Sequence, residues 1–219
     1  MIGTKNNFLL TGTALGLVTL MSVTSAHGQV TFTPGNNPQP NEENILLNSG
    51  LSGASVTGTT QSSGIVVRFD SITDTLTEPS SGQARVEATD GVVNNITISV
   101  PGGSFTDLIL NADITGTNAP GPGSLDIFVN SSGGPNFFSL PLANGSNFGT
   151  LLADPGITIT SVTLESVTGF TDLRQPRISG AALGRTPGGV VPEPGSLGLL
   201  VGLGITGSAF AAGRIRRRH

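Results

Sequence analysis

Residues 92–100, VVNNITISV, decide the fold. Ile96, Ile98 and Val100 fall on one side and Asn95, Thr97 and Ser99 on the other, a period of two that belongs to a β-strand with one buried face. Working outward, the same alternation recurs. Ile65, Val67 and Phe69 alternate with Val66 and Arg68, and Leu125, Ile127 and Val129 share a face opposite Asp126 and Phe128. In ITITSVTLES (157–166) the apolar face switches from odd positions (Ile157, Ile159) to even ones (Val162, Leu164). One extra residue near Thr160–Ser161, a β-bulge, accounts for the switch. Clusters of turn formers separate the runs: Pro101-Gly102-Gly103, Asn118 to Gly123, Ser132 to Pro135, Asn144-Gly145-Ser146 and Asp154-Pro155-Gly156. The body carries no long amphipathic helical pattern. Short strands joined by tight turns predict an all-β fold, an antiparallel β-sandwich of jelly-roll-like kind.

The two ends read differently. Lys5 precedes an uncharged stretch from Phe8 to Ala26 that finishes on Thr24-Ser25-Ala26. A basic start, an apolar middle and a small-residue cleavage site predict a secretory signal peptide over 1–26, removed by signal peptidase after passage through the translocon. Gly195 to Ala212 is also uncharged. Eighteen helical residues span roughly 27 Å, enough for a thin hydrocarbon core, which predicts a transmembrane helix over 195–212. Arg214, Arg216, Arg217 and Arg218 follow. Basic residues beside a span stay in the cytoplasm, so the body lies outside. Pro192-Glu193-Pro194 stands just before the run, where two prolines keep the chain extended. The expected organisation is a signal peptide (1–26), a linker (27–43), a β-sandwich domain (44–184), a linker (185–191) and a C-terminal segment (192–219) with its helix and basic tail.

Pro192-Glu193-Pro194, the apolar run and the terminal arginines, in that order, resemble the PEP-CTERM sorting signal of exported bacterial proteins. The resemblance covers about thirty residues. It implies recognition of the Pro-Glu-Pro motif and removal of the tail by exosortase, a membrane protease-transpeptidase. It also implies a bacterium that makes extracellular polysaccharide. The expected location is therefore an inner-membrane intermediate, then the cell surface or the medium. Within the body, SSGQARVEATDG (80–91), SFTDLILNAD (104–113) and SVTLESVTGFTDLRQPRISG (161–180) resemble a β-sandwich module seen mostly in cyanobacterial PEP-CTERM proteins. That resemblance implies a fold and no activity.

Composition narrows the chemistry. The body (27–191) holds thirteen acids against five arginines and no lysine, a net charge of about −8. Such a surface repels nucleic acid and lacks the basic stripe that nucleic-acid binding needs. Without cysteine there are no disulfides, thiolate metal sites or thiol nucleophiles. Trp and Tyr are absent, which leaves Phe as the only aromatic platform for a sugar. The two histidines are His27, beside the cleavage site, and His219, the last residue, so neither a Ser-His-Asp triad nor a histidine metal cage is expected.

Three sets of body residues are candidates for a site. Carboxylate pairs for glycosidic chemistry are Glu87 with Asp90 and Glu165 with Asp172. For calcium, which takes several oxygen ligands, Asp70 and Asp74 flank a turn, and Asp107 and Asp113 bracket the strand FTDLILNAD. No stretch has the EF-hand spacing, and local backbone bonding by turn acids competes with the calcium reading. Arg174 and Arg177 offer guanidinium forks for an anion or uronate, against a structural pairing with Asp172. The expectation is a non-enzymatic, exported surface or matrix protein without a cofactor, calcium being the one metal candidate. A module binding carbohydrate or calcium in the extracellular polysaccharide is the second reading, and a secreted glycan-acting enzyme the third.

Overall fold

The computed structural model describes residues 29–79, 84–116 and 119–184. Every element in them is a strand, and every pairing is antiparallel. With strands numbered in chain order, the front sheet runs β12 (Gly134–Leu142), β11 (Gly123–Ser131), β14 (Ile159–Phe170), β8 (Val93–Ser99), β5 (Val66–Asp70), β4 (Ser55–Thr60) and β2 (Glu43–Leu46). The back sheet starts with β1 (Val30–Pro34), β13 (Gly145–Ala153) and β10 (Asp107–Ile114). Both β15 (Asp172–Arg174) and β16 (Arg177–Ser179) pair along the far edge of β10. From β15 the sheet continues through β7 (Arg85–Ala88), β6 (Leu76–Thr77) and β3 (Ser52–Gly53). Strand β2 pairs with β4 in front and β16 behind, joining the sheets at one corner. A short ribbon of β9 (Gly103–Ser104) and β17 (Ala182–Leu183) completes the fold.

The periodicity explains the two layers. Val67, Phe69, Ile96, Ile98, Leu125, Ile127, Val162 and Leu164 of the front sheet meet Leu108, Leu110, Ala112, Leu151 and Leu173 of the back sheet in one buried cluster. Each fully buried Leu, Ile or Phe contributes about 1.5–3 kcal/mol. Close approach has its own requirement at Gly149, where an added Cβ would lie 2.5 Å from the Phe32 ring. The bulge expected near Thr160 is present: Asn130 pairs with Ser161 and Ser131 with Ile159, which leaves Thr160 unpaired and Ile159 and Val162 both buried.

The segment 27–43 departs from its expected role as a linker. Val30–Pro34 is strand β1, in register with Ala153 to Gly149 of β13. The residues after it are tied to the back sheet. Gly35 N donates to Phe148 O at 2.8 Å, Thr150 Oγ1 donates to Gly35 O at 2.9 Å, and Asn37 N donates to Thr150 Oγ1 at 3.1 Å. Arg177 bonds Asn36 and forms an ion pair with Glu42 at 3.3 Å. Thr150 and Arg177 are the register neighbours of Ile109, so residues 35–42 roof the outer face of β10. With this roof near Ile109 and Arg174 beside Asp113, β10 is buried along its whole length, on the face of Asp107, Ile109, Asn111 and Asp113 as well as on the core face. The domain thus begins by β1 rather than at residue 44. The expected signal peptide, the expected linker 185–191, the expected sorting motif with its helix and basic tail, and both histidines lie outside the described residues.

Candidate functional site

The front sheet leaves its outer face open, and a cavity of about 340 Å³ lies at one end of it, lined by Ile72, Thr73, Asn94, Asn95, Asp126, Glu165, Ser166 and Val167. Two irregularities build it. On β14, Glu165 pairs with Asn95 and Phe170 with Val93, so Ser166 to Gly169 stand against the single residue Asn94. Bulges of this kind re-aim side chains, and here Val167 is left fully exposed. Three features close the bulge. Ser166 Oγ accepts from Gly169 N at 3.1 Å, and Ser166 O accepts from Asn94 Nδ2 at 3.2 Å. Gly169 has φ +75°, and an added Cβ would meet Val92.

The second irregularity is the turn after β5. Ser71 Oγ accepts from Asp74 N at 2.9 Å, and Asp74 Oδ2 accepts from Asn94 N at 2.9 Å and Asn95 N at 3.1 Å. Asp74 therefore fastens the turn to the start of β8, and Ile72 stands 88% exposed at its tip. Two hydrogen-bonded loops each hold an aliphatic side chain out in water.

Between them, pairing aligns Asp126 of β11 with Glu165 of β14, and Glu165 with Asn95 of β8. Asn95 is 5% exposed, and its Nδ2 donates to Glu165 Oε1 at 3.1 Å, orienting that carboxylate. The next row along the face holds Phe137, Phe128, Thr163, Thr97 and Asp70. The rings of Phe128 and Phe137, 40% and 58% exposed, are tilted with centroids 5.0 Å apart. Phe128 lies two residues along β11 from Asp126, about 7 Å. The face thus combines an aromatic pair, two aliphatic posts, an amide and three carboxylates, of which Asp70 is paired with Arg68. Clefts that combine apolar contact with a few placed polar groups hold small ligands or sugar units.

The residues singled out by sequence are dispersed. Asp70 is paired with Arg68 at 2.8 Å, and Asp74 is used by the backbone of β8. Asp107 and Asp113 occupy opposite ends of β10 on one face, roughly 20 Å apart, too far to share an ion. Asp107 bonds the Ser179 hydroxyl, while its Oδ1 is buried without a hydrogen-bond partner among the described residues. Burial pushes the Asp107 carboxyl above the ordinary aspartate range, against the pull of Ser179. Among the described residues no three His, Cys, Asp or Glu side chains converge on a metal position.

Arg174 lies 3.3 Å from Asp113 and bonds Asp172 Oδ2 through Nη2 at 3.0 Å. Its Nε is 2.7 Å from Asp172 Oδ1, an ion-pair contact off the hydrogen-bonding line. Burial raises Asp172, opposed first by its hydrogen bond from Arg174. With Arg177 held by Glu42 and Asn36, both guanidinium forks are occupied by the chain itself. The carboxylates also pair differently from their order in sequence. Glu87 is opposite Asp172 in the back sheet, and Glu165 is opposite Asp126 in the front sheet.

Sequence reasoning missed Asp126, Asn95, Ile72 and Val167 as a group. The outward side of Phe128 and Asp126 was readable, and Gly169 inside an apolar strand was a bulge signal. The register joining β11, β14 and β8 was not. No family model matches the chain, and no curated protein does. Among solved structures, it is similar to two mutants of a family 29 carbohydrate-binding module made to probe ligand recognition. Each is 11% identical with a TM-score of 0.23, over 70% of this chain and 89% or 91% of that chain. At that identity and TM-score the likeness carries no weight for ligand or site, and the geometry of the open face stands by itself.

Proposed function

We propose that this chain is an exported, non-catalytic β-sandwich of jelly-roll-like winding that binds carbohydrate on the open face of its front sheet. The observation that carries the reading is the exposed Phe128–Phe137 pair one row from a cavity floored by Asn95, Asp126 and Glu165. Aromatic rings cover the C–H faces of pyranoses, and carboxylates and amides bond their hydroxyls. Two exposed, touching phenylalanines gain little for a free domain and much for a docking surface.

The terminal segments supply the address. The sequence supports export by the 1–26 signal peptide and sorting through Pro192-Glu193-Pro194, the 195–212 helix and Arg214, Arg216, Arg217 and Arg218 by an exosortase-type protease. The natural partner is then extracellular polysaccharide. The β9–β17 ribbon lies at the far end of β8 from the cavity.

The test is retention of the protein on insoluble polysaccharides. Phe128→Ala with Phe137→Ala is expected to abolish retention while leaving the melting temperature within about 4 °C, because each surface change stays within roughly 0.5 kcal/mol. Retention unchanged in the double variant, or breakdown of the polysaccharide by the protein, would overturn the reading. For the address, the intact mass of protein recovered from native cells is expected to start near His27 and end near Pro192–Pro194. A species keeping Arg216 to His219 would contradict tail removal.

A further inference from the structure

The open face also says which sugars suit it. Asp126 and Glu165 stand directly opposite one another across β11 and β14, where like charges are destabilising. Among the described residues neither has an ion pair. Each described arginine pairs elsewhere: Arg68, on the same face but two strands and two rows from Glu165, with Asp70, Arg85 with Glu87, Arg174 with Asp113 and Asp172, and Arg177 with Glu42. The sole lysine of the sequence is Lys5, outside the described residues.

Glu165 is exposed and Asp126 half-buried, but the floor is held in a fixed arrangement. The buried Asn95 orients Glu165, and the walls carry the exposed Ile72 and Val167 on loops that hydrogen bonds hold in place. Apolar posts around an unmatched pair of carboxylates fit a ligand with an apolar ring and a positive group. Phe128 and Phe137 extend the apolar surface along the same face.

We infer that this cavity binds the protonated amine of an amino sugar within a polysaccharide, so that the protein prefers de-N-acetylated glucosamine-type polymers over neutral or uronate ones. The inference rests on the glycan-binding reading of the same face and specifies its ligand. The ammonium would sit between Asp126 and Glu165, with its ring against Val167 or Ile72 and neighbouring units over the phenylalanines. A uronate in the cavity would meet two carboxylates, while Arg68 on the same face is already paired with Asp70.

The experiment is calorimetric titration of the protein with glucosamine oligomers, their N-acetylated counterparts and oligogalacturonate, in low and high salt, with calcium and with chelator in parallel. Glucosamine oligomers are expected to bind at least ten-fold more tightly than the acetylated ones, with the difference shrinking in high salt. Asp126→Asn with Glu165→Gln is expected to remove the preference, while Asp154→Asn, at the end of β13, keeps it. Phe128→Ala with Phe137→Ala weakens both oligomers alike. Three results would overturn the inference: equal affinity for both oligomers, tighter binding of oligogalacturonate, or a preference that survives Asp126→Asn with Glu165→Gln. Binding that requires calcium would overturn it as well. If acetylated oligomers still need the phenylalanines, the glycan-binding reading stands and only the amino-sugar specificity fails.

Discussion

The back sheet and the cavity end of the front sheet treat their acids in opposite ways. On the back sheet, Asp107, Asp113 and Asp172 are buried, roofed by residues 35–42 or clamped by Arg174. On the front sheet, Asp126 and Glu165 are left without an ion pair among the described residues, beside exposed Ile72, Val167, Phe128 and Phe137. The same backbone architecture underlies both. What differs is whether the chain supplies its own cover and counter-charge. Where it does, charge is spent on holding the fold; where it does not, surface is left over for a ligand.

That contrast can be broken most strongly at Arg174. Arg174→Met strands two buried carboxylates, and losing one partner of a buried pair costs about 3–5 kcal/mol. Chemical denaturation should show it as a large drop in midpoint with an unchanged slope. Gly169→Ala is the next largest. Alanine is strained at φ +75° and would press on Val92, so stability should fall by about 1–2 kcal/mol. Because Gly169 closes the bulge that holds out Val167, glycan affinity measured on the folded fraction should fall with it.

Asp107 sharpens the comparison through pH. Its folded-state carboxyl titrates above the ordinary aspartate range because of burial. The folded state therefore holds a proton that the unfolded chain has lost. The stability this gives is complete below about pH 4 and disappears as pH rises through the folded value. Asp107→Asn should flatten this loss, so that its stability relative to the parent improves from pH 4 to pH 7. Denaturation midpoints at a series of pH values check the sign. The smallest stability effect belongs to the open face, where Asp126→Asn should leave the midpoint level or slightly raised, since it relieves the repulsion with Glu165.

Much of the fold was legible because it is local. Alternation in VVNNITISV and in residues 125–129 placed strands and their buried sides, and the phase switch in ITITSVTLES placed the bulge at Thr160. The misjudged linker has a different cause. Pro, Gly and Asn make residues 33–41 look flexible, but a strap pinned by distant partners has the same composition. Its fastenings are Thr150, 113 residues from Asn37, and Arg177, 141 residues from Asn36. The candidate site was hidden for the same reason. Asp126, Glu165 and Asn95 each look like an ordinary outward-facing strand residue, and only the register of three strands brings them into one row. Pairing carboxylates by nearness in sequence could not find that row.

The most direct test of the contrast between the faces is a backbone NMR titration of the domain with a glucosamine oligomer. Shifts are expected to concentrate at Asn95, Asp126, Phe128, Phe137, Glu165 and Val167, with Asp113, Asp172, Arg174 and Arg177 unmoved. Shifts concentrated on those four back-sheet residues, with the front face silent, would contradict the account.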